Sequence, residues 1–123
     1  MSDVSYTVES ANALLPQLAP ALVELREKFE EAEKIREAYS QIAAGNGRSQ
    51  QQGEEQRKMA RVAELLGRLE EWGIQLRDIT TGLVDFPAEM SGERVFLCWR
   101  LGEEEVAFYH SPEDGFRGRR PLP

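Results

Sequence analysis

Between Gly82 and Arg119 the chain gathers most of its side chains capable of chemistry: Asp85, Cys98, Arg100, Glu103, Glu105, His110, Arg117 and Arg119. His110 is the only histidine and Cys98 the only cysteine. An imidazole titrates near neutrality, so His110 is the natural candidate for a general base or a metal ligand. A nucleophilic Cys98 needs a cationic neighbour, and Arg100 shares its strand face. Arg100, Arg117, Arg119 and Arg120 carry the planar fork that grips carboxylates and phosphates. Asp85, Glu103, Glu105 and His110 make a mixed nitrogen–oxygen set suited to zinc, manganese or iron.

Each of these has a plainer reading. Along a hairpin arm at 3.3 Å per residue, Glu103 and His110 lie roughly 20 Å apart, too far to share a metal within one chain. No spacing motif for a metal is present either. His110 then reads as a strand-end imidazole beside Val95. Cys98, between Leu97 and Trp99, reads as a small buried hydrophobe. The arginines read as local partners of Asp85, Glu105 and the linker acids. The site expected from these residues is a patch for a small anionic ligand, bordered by Asp85, Arg100, His110, Arg117 and Arg119. No metal, cofactor or catalytic role is assigned.

The elements that must position these residues fall into two halves. Thr7 is a candidate N-cap, with Glu9 in the first turn. From Ala11, Leu14 and Leu15 through Leu18, Leu22, Leu25 and Phe29 to Ile42, apolar residues recur at three- and four-residue steps, the mark of an amphipathic helix. Pro16 and Pro20 predict a kink near its start. Gly45–Gly53 has no apolar residue and reads as a flexible linker. A second helix is expected from Glu54 to Trp72, stopped by Gly73 in the left-handed conformation. The two helices form an antiparallel hairpin over residues 7–72. The first is longer, so part of its apolar seam needs another partner, and a two-fold homodimer is expected.

After Gly73 the period changes to two. Strands are expected at Ile74–Asp78, Leu83–Pro87, Arg94–Leu101 and Glu104–His110, with Pro87 marking an edge or an end. Gly102-Glu103 fits a two-residue type II′ turn. That turn pairs Arg100 with Glu105, Trp99 with Val106, Leu97 with Phe108 and Val95 with His110. Val95, Leu97, Trp99, Val106 and Phe108 then face the helices. Phe96, Cys98, Arg100, Glu105, Ala107 and Tyr109 form the opposite, mixed face. The fold class is α+β: one domain over residues 1–123, with a long helical hairpin, a β-meander of three or four strands over 74–110, and a tail over 111–123.

The 123 residues carry a net charge of −7, with a pI of about 4.8. Arg117, Arg119 and Arg120 are the only basic cluster, too small for a duplex footprint, so no nucleic-acid role is expected. One cysteine rules out an internal disulfide and suits a reducing compartment. No signal peptide and no apolar run near 18 residues is visible, so the expectation is a soluble, cytoplasmic protein that does not engage membranes.

TVESANALLPQL at the start, GLVDFP in the middle, then LCWRLGEEEV, YH and GFRGRRPL together resemble the bacterial family known as domain of unknown function 2203. The resemblance covers all but the linker. It implies a small cytoplasmic bacterial protein and no particular reaction. The functional expectation is a non-catalytic interaction or ligand-binding protein. The alternative is a small enzyme or metal-binding protein with its site around Asp85, His110 and the C-terminal arginines.

Overall fold

A computed structural model describes residues 4–40 and 48–123. Helix α1 spans Val8–Ser40 and α2 spans Arg48–Glu71. Thr7 caps α1 as expected. The Ser10 N–H donates to Thr7 Oγ1 at 3.0 Å, and the Thr7 N–H donates to Ser10 Oγ at 2.9 Å. This is a reciprocal capping box with serine in the place of the usual Glu or Gln. The helix runs through Pro16 and Pro20 without dividing.

The second helix begins earlier than its composition suggests. Arg48–Gly53, read above as part of a linker, forms its first turns, while residues 45–47 lie outside the described residues. Glutamine is a good helix former and needs no buried face to be one. At its other end α2 closes in a Schellman motif. Gly73, at φ 75°, donates its N–H to the Glu70 carbonyl, and Ile74 donates to Leu69. The helices run side by side, tied by the Arg61–Glu24 fork at 2.6 and 2.8 Å and by Lys58–Glu31 at 2.9 Å.

The strands are β1 (Gln75–Asp78), β2 (Leu83–Met90), β3 (Glu93–Arg100), β4 (Phe108–His110) and β5 (Arg120–Pro121), in the spatial order of the chain and all antiparallel. The sheet therefore has five strands, the last supplied by the tail. One face packs on the helices. Leu18, Leu22 and Leu25 of α1, Val62, Leu65 and Leu69 of α2, and Val84, Phe86, Leu97 and Trp99 of the sheet share one core.

β2 does not end at Pro87. Its last pairing with β1 is Asp85 with Gln75, so on that side no ladder partner waits for the missing N–H. The Pro87 carbonyl instead accepts the Tyr6 N–H at 2.7 Å. The β2–β3 turn is Ser91-Gly92, with φ of 54° and 79°, the left-handed pair of a type I′ hairpin. It sets Asp85 directly opposite Cys98.

The β3–β4 register differs from the expected one by a single residue. Glu103 donates its N–H to the Arg100 carbonyl at 3.0 Å, which puts Gly102, at φ 103°, third in the turn rather than second. Positive φ at the third position is the type II arrangement, whose twist splays strands instead of joining them. The chain makes a loop before rejoining as β4, with Phe96 opposite His110, Leu97 opposite Tyr109 and Cys98 opposite Phe108. A one-residue slip turns every β4 side chain over, while Val106, in the loop before β4, keeps its expected place in the core. Phe108 and His110 thus lie on the outer face, not the core face, and Tyr109 moves inward. Trp99 stays in the core, while Arg100 faces Leu83 rather than Glu105. No helix among the described residues is long and apolar enough to cross a membrane.

Candidate metal centre

The slip gathers three donors on the outer face. Asp85 of β2 and Cys98 of β3 are cross-strand partners, and His110 of β4 stands opposite Phe96, two residues from Cys98 along β3. One ligand-capable atom of each lies within 4.8 Å of the others. Asp85 is 1% exposed, Cys98 0% and His110 3%. An outer sheet face is ordinarily wet; here the tail covers it. The Arg119 guanidinium sits 3.8 Å from the Phe108 ring centroid and 5.1 Å from that of Phe116, and pairs with Glu103.

Arg77 completes the surroundings. Leu76 pairs with Val84 but Asp78 pairs with Leu83, so Arg77 is the extra residue of a bulge. Its Nε donates to Asp85 Oδ2 at 2.7 Å, and its guanidinium carbon lies 5.1 Å from the Phe96 centroid.

Hydrogen bonding constrains the protons. His110 Nδ1 lies 2.8 Å from the Ser111 carbonyl oxygen, which can only accept, so Nδ1 carries a hydrogen. His110 Nε2 lies 3.0 Å from Asp85 Oδ1. A neutral imidazole protonated on Nδ1 has only a lone pair at Nε2, and a carboxylate has only lone pairs. Two acceptors at this distance repel, so a positive species belongs between them: a shared proton or a metal ion. The Cys98 thiol is pushed up to about 12, first by burial and then by the negative charge of Asp85; Arg119 pulls the other way and loses. Without a metal the thiol is protonated at neutral pH, and it is no nucleophile.

The donor set fits a zinc-class ion. Metal–nitrogen and metal–oxygen bonds near 2.0 Å and a metal–sulfur bond near 2.3 Å put tetrahedral ligands roughly 3.3–3.5 Å apart; Asp85 Oδ1 and His110 Nε2 stand at 3.0 Å and the sulfur within 4.8 Å, so small shifts seat the ion. The outer groups are also those of a metal site. The Ser111 carbonyl fixes the imidazole tautomer with Nε2 facing in, and Arg77 holds the far carboxylate oxygen.

Of the five residues expected at one patch, only Asp85 and His110 come together. Arg119 shares the face but is taken up by Glu103 and two rings. Arg100 is exposed, its guanidinium carbon 5.9 Å from the Phe116 centroid, and Arg117 is exposed on the tail. Two members, Cys98 and Arg77, were not foreseen. The Ser91-Gly92 turn signals Cys98 opposite Asp85; nothing in the composition of β1 signals the bulge at Arg77. Beside the donors lies a cleft of about 280 Å³ lined by Arg77, Leu83, Asp85, His110, Pro112 and Phe116 among others. A larger groove of about 480 Å³, near Val8, Met90 and Leu122, has Glu105 as its only acidic or basic side chain among the described residues, so size and chemistry do not coincide.

No curated protein and no solved structure matches the chain. The model of the family described as an uncharacterized conserved protein (DUF2203) matches residues 5–122, nearly the full length, and the chain belongs to that family.

Proposed function

We propose that the protein is a metal-binding protein that holds one zinc-class ion through Asp85 Oδ1, Cys98 Sγ and His110 Nε2. The observation that carries this reading is the His110 lone pair, fixed by the Ser111 carbonyl and aimed at a buried carboxylate beside a buried thiol. A sulfur, nitrogen and oxygen set favours zinc, cobalt or iron over magnesium or calcium, which prefer oxygen alone. Binding exchanges the thiol proton and the proton shared by Asp85 and His110 for the cation. Thiolate and carboxylate then neutralise a divalent charge in a place where an unpaired charge is costly.

Metal analysis of protein purified without chelator, followed by Zn²⁺ titration against a chromophoric competitor, tests it. One equivalent should bind, and Cys98→Ser and His110→Gln should each weaken binding at least about tenfold. Wild-type protein that folds yet binds no Zn²⁺ at micromolar concentration would overturn the reading.

A further inference from the structure

Three protein donors leave a tetrahedral ion one ligand short, the arrangement of zinc sites that work on or hold a small molecule rather than only brace a fold. The side on which that position can open is set by the surroundings. The cleft of about 280 Å³ touches Asp85 and His110 but is not lined by Cys98. Cys98 is sealed between β2 and β4, with Phe108 opposite it beneath Arg119. A fourth ligand therefore arrives from the cleft.

Among the described residues, Arg77 is the one permanently charged cation lining the cleft. Only its Nε is engaged by Asp85; its two terminal nitrogens have no protein partner among the described residues, and its side chain is 43% exposed. The Phe96 ring beneath the guanidinium steadies it. A guanidinium with two unspent donors beside an open metal position is the recognition chemistry of an oxyanion. Leu83, Pro112 and Phe116 give the rest of the cleft an apolar wall. Its volume is just under the lower end of ligand pockets, roughly 300–1,000 Å³, which suits a small acid and not a nucleotide.

We infer that this cleft seats a small carboxylate- or phosphate-bearing ligand, one oxygen on the metal and another on the terminal nitrogens of Arg77. The inference rests on the metal reading above and specifies the class of molecule that the site takes.

Cobalt substitution separates the two. Co²⁺-loaded protein should show a thiolate-to-cobalt charge-transfer band from Cys98 and visible d–d bands sensitive to the fourth ligand. Titration with acetate and with inorganic phosphate should shift the d–d bands saturably while the thiolate band persists, and the tighter anion assigns the class. Arg77→Gln removes the anion clamp together with the hydrogen bond to Asp85, so it is read at saturating Co²⁺, where it should weaken the anion response about ten- to a hundredfold; Arg77→Lys should recover part of it. Leu83→Glu places a like charge in the same cleft without touching the Asp85 bonds. It should suppress the response as well, and it serves if Arg77→Gln fails to fold or to hold cobalt. A cobalt spectrum that neither anion alters, or that responds equally in wild type and in these variants, would overturn the inference and leave the metal reading standing. Absence of the thiolate band in wild type would remove both.

Discussion

Arg119 lies over the ring of Phe108, and that stacking holds the tail against the outer face of the sheet. Phe108 is the cross-strand partner of Cys98, so the same contact roofs the thiol. Glu103, in the loop before β4, pairs with Arg119 and closes the arrangement. Arg119→Ala should cost about 2–3 kcal/mol, from the desolvated cation–π contact and from leaving Glu103 without its partner. Urea unfolding measures the loss. Hydrogen exchange should show faster opening confined to β4, β5 and the tail; uniform exchange or an unchanged midpoint would show that the stack is incidental.

The Cys98 thiol should resist modification in the folded, metal-free protein. With its pKa at about 12, its thiolate fraction at pH 8 is about a thousandfold below that of a free thiol near 8.5, before access is considered. Disulfide-exchange reagents should label it only in denaturant, or faster once Arg119→Ala loosens the roof. Labelling of the native protein at the rate of a free thiol would contradict both the burial and the effect of Asp85.

Metal binding should release about two protons, one from the thiol and one from the Asp85–His110 pair. Apparent affinity then rises with pH, by about tenfold per unit from the Cys98 thiol, which stays protonated up to about 12. Calorimetric titration in buffers of different ionisation enthalpy counts the protons directly. A count near zero would mean that Cys98 is not a ligand.

Tyr6 ties the N-terminal segment to the end of α2, donating its hydroxyl to the Trp72 carbonyl at 2.5 Å while its ring meets Phe86 edge-on at 5.1 Å. Tyr6→Phe keeps the ring packing and strands the carbonyl, a loss of about 1–3 kcal/mol. Burial raises the Tyr6 pKa above 10. A group whose folded pKa is raised contributes its stability below the unfolded value and loses it as pH climbs through the folded one. The wild type should therefore lose stability above pH 10 more steeply than Tyr6→Phe, as thermal melts between pH 8 and 11 will show.

The legible parts of the fold are those decided locally. Thr7 and Ser10 cap a helix within one turn, Gly73 ends another, and the alternation in Arg94–Leu101 marks a strand with Trp99 inward. The β3–β4 register was not legible, for a specific reason. Leu101-Gly102-Glu103 satisfies a type II′ turn with glycine second and a type II turn with glycine third. The run Val106-Ala107-Phe108-Tyr109 is apolar on both parities, so its pattern offers no check. That one residue decides whether His110 meets Val95 in the core or Asp85 on the outer face. The metal set considered from the sequence accordingly included Glu103 and omitted Cys98. The bulge at Arg77 depends on how β1 is accommodated against β2, which β1 alone does not encode. The early start of α2 was hidden by polar residues that propensity, not burial, makes helical.

The three donors belong to three different strands, and Asp85 and His110 are 25 positions apart. No short stretch of the chain can assemble the set. An ion bound there would act only after β4 has docked, and at a hundredfold excess over its dissociation constant it would add about 2.7 kcal/mol to the native state. It would work as a fastener across β2, β3 and β4. A chain truncated before His110 would lose the fastener along with the strand, so metal occupancy would report whether the C-terminal third has folded.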